Sequence, residues 1–136
     1  MSVIAEIIRV EESGDISFGN YSVSDKQKVN DFDVRGDLYK VKTHNEITRL
    51  EKNSKLLLET VPGAAIHNFH LREKYVKFLA EGKGDTQLTL ELESEQEYKI
   101  IVDDVNVGRA KSSHSGKLIF SAELTETPQK IKIEKL

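Results

Sequence analysis

The chain has no cysteine and no tryptophan, and only two prolines and one methionine, in 136 residues. Without thiols there is no disulfide framework, no thiolate metal centre and no thiol nucleophile. Five Phe and four Tyr are the only aromatic residues, so a sugar-binding platform of exposed rings has few candidates, namely Tyr21, Phe69 and Tyr75. No apolar run approaches the roughly 18 residues that a membrane-spanning helix needs. Met1 to Val10 is interrupted by Glu6 and Arg9 and does not read as a secretory signal, so the expected compartment is the cytoplasm. Twenty basic residues against 23 acidic ones give a net charge of −3, which leaves no electrostatic footprint for nucleic acid or for an anionic membrane. The length also excludes a propeller or a (β/α)8 barrel.

What the sequence does contain is strict two-residue alternation, the mark of a strand with one wet face, because successive side chains leave opposite sides of the pleat. Leu88, Leu90 and Leu92 alternate with Gln87, Thr89, Glu91 and Glu93. The same pattern recurs in Val76, Phe78 and Ala80, in Tyr98, Ile100 and Val102, in Leu118, Phe120, Ala122 and Leu124, and in Ile131 and Ile133. Glu81-Gly82-Lys83-Gly84-Asp85 reads as a short hairpin, and Ser94 to Glu97 as a connection that crosses between sheets. Asp103-Asp104 reads as a tight turn into a short strand, and Ser112 to Gly116 as a loop tip.

The first half is less regular. Val3 to Val10 is expected as a strand, and Phe32 to Val34 with Tyr39 to Val41 as a hairpin turning at Arg35-Gly36-Asp37. Ile47 to Glu51 with Leu56 to Val61 forms a second expected hairpin, and Ser24 with Gln27 resembles the cap of a helix of one turn at most. Val61-Pro62-Gly63-Ala64-Ala65 interrupts the pattern and divides the chain into an N-terminal hairpin region, 1–64, and a C-terminal sandwich, 65–136. The expected fold is all-β, with the hairpins packed against an antiparallel, immunoglobulin-like sandwich.

No catalytic constellation emerges. His67 and His70 are an odd number of residues apart, so an extended chain sends them to opposite faces, and no third ligand is near in sequence for a metal. Ser113-His114-Ser115 lacks both an oriented acid and a nucleophile elbow. Asp103-Asp104 lacks the spaced oxygens of a calcium loop. No catalytic, metal or cofactor residue is therefore assigned. Tyr75, Leu79, Ile101 and Ile119 are apolar where the alternation predicts solvent, which marks them as a candidate interface covered by the N-terminal hairpins or by a second subunit.

Glu97-Tyr98-Lys99-Ile100-Ile101-Val102-Asp103-Asp104-Val105-Asn106-Val107-Gly108, followed by Ser115 to Ser121, resembles the small immunoglobulin-like or fibronectin-like modules of carbohydrate-active enzymes, with Asp104 where glycine is usual. Phe18-Gly19-Asn20-Tyr21, Gly36 to Thr43 and Leu50-Glu51-Lys52-Asn53 resemble short uncharacterised bacterial proteins sometimes labelled endosialidase. That label implies no catalytic residue here, because a sialic-acid hydrolase needs a far larger propeller and clustered arginines, whereas Arg9, Arg35, Arg49, Arg72 and Arg109 are dispersed. The expectation is a non-catalytic binding or assembly module that associates with itself and needs no cofactor. The alternatives are a module that binds a glycan or another protein and, third, a small hydrolase with His67 and His70 converging in a pocket.

Overall fold

The computed structural model describes residues 4–136. Thirteen strands, numbered in chain order, form two antiparallel sheets, and no helix occurs among the described residues. The first sheet runs from edge to edge as β1 (Ile8–Val10), β2 (Ile16–Phe18), β7 (Ala64–Leu71), β8 (Tyr75–Gly82), β13 (Gln129–Lys135), β10 (Glu97–Val102) and β11 (Val105–Lys111). The second runs as β12 (Lys117–Leu124), β9 (Gly84–Glu91), β6 (Lys55–Val61), β5 (Thr48–Lys52), β4 (Asp37–Thr43) and β3 (Gln27–Val34).

Alternation decides which face of each sheet is dry. Ile66, Val76, Phe78, Ala80, Ile131 and Ile133 line the inside of the first sheet, opposite Val41, Leu50, Leu58, Leu88, Leu90 and Leu118 of the second, and all belong to one buried apolar cluster. Removing each of the larger side chains from water is worth about 1.5–3 kcal/mol. An aromatic row knits β2, β7 and β8 together, with Phe18 edge-on to Phe69 at 6.1 Å and Phe69 tilted on Phe78 at 5.7 Å.

The C-terminal alternation places its strands as expected. The hairpin β10–β11 turns at Asp103 and Asp104, both at positive φ (50° and 67°), a conformation that Asp tolerates better than most side chains. Several expectations change. The strand expected over Val3 to Val10 is confined to Ile8–Val10, and Val3 lies outside the described residues. Ser24 and Gln27 cap no helix, because Gln27 opens β3. Gly82 and Gly84 do not close a hairpin; β8 and β9 belong to different sheets, so this turn carries the chain from one layer to the other.

The break at Pro62-Gly63 is likewise a crossing, from β6 in the second sheet to β7 in the first. β2 pairs with β7 and β6 pairs with β9, so residues on either side of position 64 share ladders and a single core. The N-terminal hairpins thus extend the sheets edgewise. Ala64 and Ala65, whose small volume argues against a strand, are fully buried at the start of β7. Their size suits the crowded crossing. Thr48 Oγ1 accepts from the Ala64 N–H at 3.0 Å and donates to the Ala64 carbonyl at 2.9 Å, and Thr43 Oγ1 lies 2.7 Å from Thr48 Oγ1. These hydroxyls satisfy backbone groups that would otherwise be buried without partners.

Candidate functional site

The outer face of the first sheet collects most of the polar chemistry. With Val76, Phe78 and Ala80 turned inward, β8 presents Tyr75, Lys77, Leu79 and Glu81 on this face. By the same alternation, β13 presents Lys130, Lys132 and Glu134, and β10 presents Lys99 and Ile101.

β7 departs from simple parity. A bulge at Asn68, whose φ is 55°, shifts the ladder between His67 and His70, so that His67 lies opposite Leu79 and His70 opposite Lys77. The extra residue restores both imidazoles to one face, correcting the expectation that they diverge. The Asn68 N–H donates to Ser17 Oγ at 3.0 Å, which anchors the bulge to β2.

Each histidine is held by a carboxylate. His67 Nε2 is 2.8 Å from Glu81 Oε1, and the Tyr21 hydroxyl donates to Glu81 Oε2 at 2.9 Å. Glu81 is 1% exposed, so these two bonds stand in for its lost water. Burial, followed by the Glu81 carboxylate, pushes the Tyr21 phenol up to about 12. His70 Nδ1 is 2.8 Å from Asp15 Oδ1, and its ring stacks on Tyr75 at 5.9 Å with 24° between planes. A carboxylate behind an imidazole supplies two of the three members of a hydrolytic triad, but no hydroxyl hydrogen-bonds to either histidine among the described residues. Ser17, whose hydroxyl accepts from the Asn68 N–H at the bulge, is fully buried and also bonds Glu11. Hydrogen bonds from Ser17 and then Arg9 hold the Glu11 carboxyl below its usual range. The two pairs act as pins that fasten Tyr21 and Asp15 to the sheet.

Beyond the pins, β8, β13 and β10 floor an open groove of about 730 Å³, bordered by the Ser13 to Asp15 turn and by Asp104. Leu79 and Ile101 supply its apolar part, Lys77, Lys130 and Lys132 its positive charge, and Asp15 and Asp104 two carboxylates at its border. The register sets Lys77 directly opposite Lys132, with Lys130 opposite Leu79 and Lys132 opposite Ile101. Lys132 bonds Glu134 at 2.9 Å and Lys130 bonds Asp104 at 3.1 Å. Lys132, aided by Lys99, holds the Glu134 carboxyl below its usual range. Lys77 has no ion pair among the described residues; its ammonium lies 6.0 Å from the centre of the Tyr75 ring, and that of Lys132 lies 5.2 Å from it.

Of the four candidate interface residues, Tyr75, Leu79 and Ile101 are half-buried together on this face. They are not beneath the hairpins β3–β4 and β5–β6, which lie in the other sheet. Ile119 is separate: it is 54% exposed on β12, an edge of the second sheet. Tyr21 and Phe69, considered as exposed rings, are buried. His114 is a solvent-exposed loop residue 3.0 Å from Glu95. Among the described residues no three His, Asp or Glu side chains are grouped as a metal site, and no helix is long and apolar enough to cross a membrane.

Neither the lysine groove nor the burial of Glu81 is legible in the sequence. Lys130-x-Lys132 hints at a one-sided charge, but the cross-strand contact with Lys77 depends on a register that the sequence does not print. No known protein family, curated protein or solved structure matches the chain.

Proposed function

We propose that this protein is a non-catalytic binding module whose groove on the outer face of the first sheet takes an extended, acidic segment of another protein. The observation that carries the reading is the direct cross-strand pairing of Lys77 with Lys132 beside Leu79 and Ile101. Like charges facing each other across a ladder destabilise the free sheet, and the chain as a whole is acidic. A local cationic cluster with an apolar floor suits a partner that brings both carboxylates and an aliphatic side chain. Lys130 and Lys132 project from one strand two residues apart, a spacing of roughly 6.8 Å. Carboxylates at alternate positions of an extended peptide have the same repeat.

A glycan has less support. Tyr75 is the one Phe or Tyr ring lining this face among the described residues, and it is already shared by His70, Lys77 and Lys132. The immunoglobulin-like likeness of the second half agrees with a binding role by analogy of architecture alone. Hydrolysis has less support still, since His67 and His70 are each committed to a separate carboxylate.

Titration of isotopically labelled protein with hexaglutamate and hexalysine in low salt tests the reading. Hexaglutamate should shift the amide signals of β8, β13 and β10, lose its effect as salt is raised, and have no effect on Lys77→Glu. Equal shifts with both peptides, or shifts confined to other strands, would reject it.

A further inference from the structure

Four strand edges border the two sheets, and three of them are poorly suited to pairing. β1 has only three residues. β3 carries a register shift between Val29 and Phe32, with Asp31 at φ 55° and the charges of Lys28, Asp31 and Asp33. β11 has a shift in its ladder with β10 and contains Gly108, Arg109 and Lys111. Short length, bulges and charge are the means by which sheet edges avoid joining other chains. β12 is neither short nor bulged, and it carries charge only near its two ends. Its eight residues pair with β9 in unbroken register from Lys117 to Leu124, without proline, and its only charges are Lys117 and Glu123.

Local hydrogen bonds fix which way its backbone points. The Leu92 N–H donates to the Gly116 carbonyl at 2.7 Å, so positions 116, 118, 120 and 122 turn toward β9. The Lys117 N–H donates to Ser113 Oγ at 3.1 Å, and the Lys117 carbonyl accepts from the Ser113 N–H at 2.9 Å. Odd positions therefore turn away from β9. It follows that the N–H and C=O groups of Ile119, Ser121 and Glu123 point toward the open edge, where none has a hydrogen-bond partner among the described residues. Beside them Ile119 is 54% exposed, and the inward-facing Phe120 and Ala122 are only partly covered.

We propose that β12 pairs antiparallel with β12 of a second copy of this chain, about a two-fold axis at Ser121. In that register Ser121 meets its counterpart and Ile119 meets Glu123 of the second copy, so all three residues of each strand exchange backbone hydrogen bonds reciprocally. Phe120 then lies against Ala122 of the second copy. Lys117 lies diagonally across from Glu123 of the second copy, within reach of a long side chain. An unrelated extended peptide would satisfy the backbone alone. Opposite charges at the two ends of one strand become complementary only when the same strand is read in reverse, as a two-fold contact requires.

Sedimentation velocity over rising concentration, up to about 1 mM, tests the proposal with the full chain. The native protein should move from the 15.4 kDa monomer to twice that mass. Ser121→Pro removes only an N–H that faces the open edge, leaving the ladder with β9 intact, and Ile119→Lys adds an edge charge. Both variants should keep the native circular dichroism and remain monomeric, and exchange of the Ile119, Ser121 and Glu123 amides should slow with concentration in the native protein alone. A native chain that stays monomeric throughout, or a dimer that survives both folded variants, would overturn the proposal.

Discussion

Tyr21→Phe isolates the buried link between the segment after β2 and the outer face of the first sheet. The variant keeps the ring, which is 7% exposed, and deletes the hydroxyl that donates to Glu81 at 2.9 Å. A hydrogen bond to a charged acceptor contributes about 1.5–3 kcal/mol, and Glu81 retains only His67 as a partner. Burial first, and then the Glu81 carboxylate, raises the phenol from 10.0 to about 12, so the native chain resists ionisation of this group. A phenol whose folded pKa is raised favours the native state fully below the unfolded value and loses that contribution as pH climbs through the folded one. Urea unfolding of both proteins from pH 7 to pH 12 should therefore show a constant gap of about 1.5–3 kcal/mol as far as the unfolded value of 10.0, closing toward zero near pH 12. Comparing the two chains cancels the lysines, which titrate in the same range. An alkaline limb of equal slope in both, or a gap below about 0.5 kcal/mol at neutral pH, far under a charged bond's worth, would refute the link.

Two backbone positions give further expectations. Asn68→Val places a β-branched residue at φ 55° and should cost roughly 1–3 kcal/mol, read as a lower urea midpoint, whereas Asn68→Gly should leave the midpoint close to native. At Gly63 an added Cβ would collide with the His44 carbonyl oxygen; Gly63→Ala should lower the melting temperature by an amount equivalent to about 1–3 kcal/mol, and a neutral result would show that the crossing between sheets is looser than described.

How far the sequence reveals this structure depends on what each feature is made of. β9 is legible because Leu88 and Leu90 alternate with Gln87 and Thr89, and the β10–β11 turn because Asp103-Asp104 has the chemistry that such a turn needs. Turn chemistry does not state which strands pair, so the glycines at 82 and 84 suggest a hairpin where the chain changes layers. β7 hides behind Ala64 and Ala65, whose role is to be small at a crowded crossing. One residue, Asn68, inverts the parity on which the placement of His70 depends. Tyr21 and Glu81 meet across 60 positions of sequence, a separation that local periodicity does not encode. The three half-buried residues on the outer face of the first sheet are legible as misplaced apolar positions, but the lysines around them are not, because ordinary strand surfaces carry lysines too.

If Lys77 and Lys132 face each other to meet a partner, the free fold bears the cost of their repulsion. Equilibrium unfolding of Lys77→Glu without any ligand tests it most directly. Replacing a repulsive cross-strand pair by an attractive one should raise stability by about 0.5–1 kcal/mol, while hexaglutamate binding disappears. A less stable variant, or one that still binds the acidic peptide, would show that the lysine pair is not held apart for such a partner.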